Sequence, residues 1–214
     1  MRRFTRSWPC RATAAAFAVG LLALVVSPFG RASADVHSAS FDLFANSKFL
    51  PCLAAPGQTP KAKVTVVKGN PNDIGVLTTS GFKPGLKFDV FTVERSSQQA
   101  DGSPVAGFTG FGLAWYQSDL DANSSTTLKT ILVDQIFGFD ADSAVNLAPT
   151  NTFHVGFWFN NPADAAPCGF SGTTPFNGEH NAGPLAFISR PSPVTTLGPL
   201  CLNPDPSTPG RCNP

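Results

Sequence analysis

From Lys61 to Val66 the chain alternates strictly, with Ala62, Val64 and Val66 on one parity and Lys61, Lys63 and Thr65 on the other. That is the pattern of a half-buried antiparallel strand. Similar runs recur along the chain. Ser38 to Phe44 predicts a first strand, and Ile74 to Thr79 returns after the turn residues Gly69-Asn70-Pro71-Asn72-Asp73. Leu86 to Glu94 follows the turn at Gly81 to Gly85, and Asp101-Gly102 marks another tight turn. A long strand is predicted over Val105 to Gln117, then a polar loop over Asp119 to Ser125, then a strand over Thr126 to Gln135. Thr152 to Asn160 places Phe153, Val155, Phe157 and Phe159 on one face and His154, Gly156 and Trp158 on the other. Residues 160–183 contain no strand pattern, and Pro184 to Ser189 forms the last one.

About eight strands with no helical run predict an all-β fold: an antiparallel β-sandwich with Greek-key or jelly-roll-like connections. Composition agrees. Nineteen Gly and 20 Pro interrupt the chain too often for long helices, while 19 Phe against one Tyr favour buried packing over wet recognition. Residues 191–214 hold seven prolines and read as a Pro-rich C-terminal tail beyond a sandwich domain at 35–190.

The first 34 residues follow a different rule. Arg2, Arg3, Arg6 and Arg11 precede an apolar stretch from Ala14 to Val26, and Ala32-Ser33-Ala34 offers small residues for cleavage. This is the organisation of a secretory signal peptide, so the expected location is secreted and extracellular, with a mature chain beginning at Asp35. Cleavage would leave ten basic against 14 acidic residues, a formal charge of −4. A mildly acidic chain without a basic cluster argues against nucleic-acid partners and, once the signal is gone, against a membrane partner. Cys52, Cys168, Cys201 and Cys212 remain, an even set that predicts two disulfides in an oxidising compartment. The short Pro-rich span favours Cys201–Cys212, which leaves Cys52–Cys168.

The candidate chemistry is sparse. Asp119, Asp121 and Asn123 alternate as calcium ligands do, yet Ser124 replaces the loop glycine and Thr130 the closing glutamate of an EF-hand. The same residues also suit an ordinary turn. Glu179 and His180, with His154, are zinc-ligand types without zinc-ligand spacing. No G-x-S-x-G elbow exists. Asp89, Asp119, Asp134 and Glu179 are the carboxylates from which a glycosidase pair would have to come. Gly110, Gly112 and Ala114 share a face that would floor a shallow groove edged by Tyr116 and Trp158 with Trp115 alongside; the competing reading puts Trp115 and Trp158 in the core. Asn177, Glu179 and His180 sit on a long loop suited to recognition.

The functional expectation is therefore a secreted non-enzymatic protein binding an extracellular ligand, a glycan or a protein, with no cofactor beyond a candidate calcium ion. The alternatives are an extracellular hydrolase with an acidic or metal site in residues 160–183, and a structural envelope or matrix protein.

Overall fold

The computed structural model describes residues 38–67, 73–123, 125–132, 139–140, 150, 152–174, 181–194, 196–200 and 207. The strands are β1 (Ser38–Ala45), β2 (Lys61–Val67), β3 (Asp73–Ser80), β4 (Leu86–Val93), β5 (Leu113–Ala122), β6 (Ser125–Leu132), β7 (Phe139–Asp140), β8 (His154–Phe159) and β9 (Leu185–Ser189). The expected all-β, antiparallel class is what forms. Where a two-layer sandwich calls for two separate ladders, however, these strands join one sheet in the order β6-β3-β2-β1-β9-β8-β4-β5-β7. Only residues 123 and 124 separate β5 from β6, which lie near opposite ends of that order. Two residues reach about 7 Å at full extension, so the sheet must curl back on itself into a nearly closed, barrel-like form.

Alternation decides what the curl encloses. Ala62, Val64 and Val66 on β2, Phe88 and Val90 on β4, and Phe157 and Phe159 on β8 all join one buried cluster. Phe82 packs its ring 5.7 Å from Phe88 and 5.3 Å from Phe187, and Phe157 stacks on Phe187 at 5.1 Å. Each fully buried phenylalanine contributes roughly 1.5–3 kcal/mol of transfer free energy. One part of this core is closed by helical turns that the alternation gave no sign of: Ser47–Phe49, α1 (Leu50–Leu53) and a 3-10 helix at Pro162–Cys168. Asn161 caps the last of these by accepting from the Ala163 N–H at 3.0 Å. The expected Cys52–Cys168 bridge ties α1 to that helix, joining residues 116 apart in sequence. Cys201 and Cys212 lie outside the described residues.

Two predicted elements differ. The strand expected from Val105 begins only at Leu113, because Gly107 (φ 65°) and Gly112 (φ 72°) adopt left-handed backbone that a strand cannot continue through. At its other end β5 runs through Asp119 and Asp121, which the sequence reading placed in a loop. Their carboxylates alternate outward while Leu120 and Ala122 enter the core, so the strand pattern holds despite the turn-prone residue types. Part of the Pro-rich segment also packs on the body. The Leu200 N–H donates to the Phe153 carbonyl at 3.1 Å, and Leu197 is buried.

The outer face of β4, β8 and β9 is covered as well. Phe91, Trp158, Leu185 and Ile188 form a second buried cluster, with Phe111 and Tyr116 against it. A register shift between β8 and β9 leaves Ala186 without a direct partner, since Phe157 pairs with Phe187 and Trp158 with Leu185. That extra residue lets Ala186 and Phe187 both reach the inner core while Leu185 and Ile188 serve the outer one.

Candidate functional site

Among the described residues, those singled out from the sequence lie at separate places in the fold. Trp158 is 8% exposed, edge-on to Phe91 at 5.5 Å and to Phe111 at 5.1 Å, so its ring belongs to the outer core. Trp115 and Tyr116 are half-buried neighbours on a strand and therefore point to opposite faces. The Phe91 ring lies between Tyr116 and Trp158, 5.6 Å from the first and 5.5 Å from the second. Asp119 accepts from the Tyr116 hydroxyl at 2.6 Å, and Asp121 pairs with Lys87 at 3.6 Å. With both on an extended strand and Asn123 just after it, the backbone does not curl their oxygens around one point. Asp89 and Asp119 are direct cross-strand partners, but the buried Asp89 is held by Asn160 Nδ2 at 2.8 Å. Asp134, Asn177, Glu179 and His180 lie outside the described residues.

A different group does come together. Where β4 ends, Glu94 turns inward and is 2% exposed. Its Oε2 accepts from the Leu113 N–H and its Oε1 from the Thr150 N–H, each at 3.1 Å, while the Arg95 guanidinium lies 3.5 Å away. Gly112 makes this approach feasible: a Cβ there would meet Glu94 Oε2 and Arg95 Nη1 at 2.6 Å. The glycine-rich segment is thus a close backbone approach, but to a carboxylate rather than to a ligand.

His154 opens β8 beside it, on the outward parity and buried. Its Nδ1 lies 3.2 Å from the Ser189 carbonyl and 3.1 Å from the Ser189 hydroxyl. Ser96 also donates to that carbonyl at 2.8 Å, and the Val155 N–H donates to the Ser189 hydroxyl at 3.1 Å. Burial pushes the His154 pKa down to about 4, against the smaller opposing effect of the Ser189 carbonyl, so the ring is neutral at pH 7. With the ring proton on Nδ1 the imidazole donates to the Ser189 carbonyl, and Nε2 then presents a bare lone pair. Among the described residues no fully buried side-chain nitrogen or oxygen lacks a partner. Among the described residues none bonds to Nε2, and His154 lines a cavity at the surface.

That cavity has a volume of about 380 Å³ and is walled by Glu94, Gln98, Phe108, Thr152, His154 and Pro191, among others. A turn at Gln98–Pro104 builds its rim. Asp101 accepts from the Ser103 hydroxyl at 2.7 Å and the Ser103 N–H at 2.8 Å, and these bonds hold its carboxyl below the usual carboxylate range. Gly102 takes φ 89°, and the Arg190 guanidinium packs against it. Arg190 Nε donates to Gln98 Oε1 at 2.8 Å, and its guanidinium stacks 3.7 Å above the Phe44 ring. Beyond Pro191 and Pro193, which serve as a shared wall, a second cavity of about 460 Å³ opens against Phe44 and Arg190.

Both Glu94 oxygens accept from backbone N–H groups, so this carboxylate helps to fix the ends of the neighbouring segments. A histidine with a pKa near 4 is a weak base at neutral pH. No three His, Cys, Asp or Glu side chains among the described residues lie close enough to share a metal ion. Sequence reasoning offers His154 as a metal-ligand type or as an outward-facing, hydrogen-bonded strand histidine, and the second is what forms; it passes over Glu94, which looks like a strand end. The one usable signal was Gly112. No family model matches the chain, and no curated protein or solved structure is significantly similar to it.

Proposed function

We propose that this chain is a secreted, non-enzymatic protein that binds an extracellular ligand in the cavity beside Glu94 and His154. The observation that carries the reading is a surface cavity whose buried charges are already satisfied within the fold while one polar atom, His154 Nε2, is left for an occupant. Such a site offers orientation without reactive groups, as binding pockets do. In this reading the signal at residues 1–34 directs export, and residues 201–214 form a tail closed by a Cys201–Cys212 bridge.

The test uses the chain from Asp35 onward, incubated with insoluble polysaccharides and with immobilised extracellular proteins. Ala100 lines both cavities, so Ala100→Trp should fill them without entering the core. Retention on at least one surface, lost in Ala100→Trp, is the expected result. Retention on none, or equal retention of the variant, overturns the proposal.

A further inference from the structure

We infer that the occupant of this cavity is a neutral, hydroxyl-rich glycan segment that donates an O–H to His154 Nε2, an inference that rests on the binding role proposed above. The selection begins with the proton on Nδ1. With that proton directed at the Ser189 carbonyl, which can only accept, Nε2 presents a lone pair and accepts only from a donor. A carboxylate or phosphate would bring lone pairs against it. An anion would also meet the Glu94 carboxylate, and the Arg95 guanidinium that lines this cavity is already paired with it. A cationic ligand would have to compete with that guanidinium, 3.5 Å from Glu94 Oε2.

The remaining walls suit a sugar ring, which carries hydroxyl donors at its edge and C–H groups on its faces. Phe108 and the rings of Pro191 and Pro193 supply flat apolar surface, and Thr152 and Gln99 supply polar atoms. Pro191 and Pro193 also wall the second cavity, so the two spaces adjoin. Adjoining cavities of about 380 and 460 Å³ fit consecutive units of a chain rather than a single ring. An extended peptide is less suited. The bordering strands β4, β8 and β9 each have neighbours on both sides, so no sheet edge is open for strand addition there.

The decisive measurement is ¹⁵N NMR of the His154 ring in the chain from Asp35 onward, at pH 7. Three probes are titrated in: a neutral hexasaccharide panel (gluco-, manno- and xylo-series), a hexagalacturonate, and a Gly-Ser hexapeptide. A protonated Nδ1 with bare Nε2 in the free protein is expected, and a neutral hexasaccharide should move the Nε2 resonance. Hexagalacturonate should bind at least about tenfold more weakly, and His154→Phe should lose about tenfold in affinity, the worth of one hydrogen bond left unmade. The tautomer readout needs no variant, so it survives if His154→Phe fails to fold. A proton found on Nε2 overturns the inference, as does equal binding of the uronate. Binding of the peptide alone, sensed at Nε2, overturns the glycan assignment while the binding role stands. If none of the three moves Nε2 while the polysaccharide or protein capture succeeds and Ala100→Trp abolishes it, the binding role again stands and this inference falls.

Discussion

Phe157 and His154 belong to the same strand and face opposite worlds. Phe157 points inward, fully buried, with the rings of Phe82, Phe88 and Phe187 around it. His154 points outward, is almost as buried, and meets a serine, a carbonyl and a cavity. Around Phe157 the packing is apolar on every side. Around His154, next to the outer apolar cluster, directed hydrogen bonds leave little freedom in where each polar atom points. A β-strand separates these two kinds of order by a single step of its period. Burial by itself is thus a poor guide to which residues matter for function.

Perturbations should separate the two regions. The largest effect is expected from Cys52→Ala with Cys168→Ala. Opening a bridge that spans 116 residues should cost about 4–5 kcal/mol by chain entropy, read by urea denaturation. Ligand retention by whatever remains folded should not change. Phe157→Ala comes next, at about 3–5 kcal/mol for a large cavity among close rings. A loss below 1 kcal/mol would mean that the barrel interior can collapse around the gap, as roughly a fully plastic core would.

The third effect belongs to the outer region. His154 has a folded pKa of about 4 against an ordinary 6.5, so the neutral ring is favoured by folding. Its contribution is complete above pH 6.5 and is lost as pH falls toward 4, because the unfolded chain then binds the proton that the folded one refuses. The loss over that window is about 3 kcal/mol, and His154→Phe should flatten this part of the pH–stability curve. A curve unchanged by the substitution would show that the ring is not desolvated as described. Glu94→Gln should cost about 1–3 kcal/mol, since one of two buried N–H donors loses its acceptor, with Leu113 and Thr150 amide exchange rising first. The smallest expected effect is that of calcium: millimolar Ca²⁺ should leave the melting temperature in place, because Asp119 and Asp121 lie on a strand and already bind Tyr116 and Lys87.

Legibility followed the same division. Strict alternation on β2 and β8 revealed those strands and their inward faces, because both strands enter the core at period two. The Cys52–Cys168 bridge followed from counting. The site was mostly hidden. Glu94 and His154 line one cavity only because β4 and β8 pair, with Val93 opposite His154, and nothing local announces a pairing between strands so far apart. The role of Ser189 depends likewise on β9 lying beside β8. Glycine at position 112 did signal a close approach, but its partner could not be named from one sequence. The single closed sheet was also out of reach, since alternation fixes which face is buried and not which strands are neighbours.

The pairing of β1 with β9, Leu43 opposite Ser189, has a kinetic side. The opening strand of the fold finds one of its two neighbours only near the end of the chain, so the seam cannot be sewn until nearly the whole polypeptide is available. Contacts this distant in sequence place the protein among slow folders, on a scale of milliseconds to seconds. Until β9 arrives, β1 has an unpaired edge, and a helper that shields that edge should raise the yield of refolding more than any stabilising substitution elsewhere.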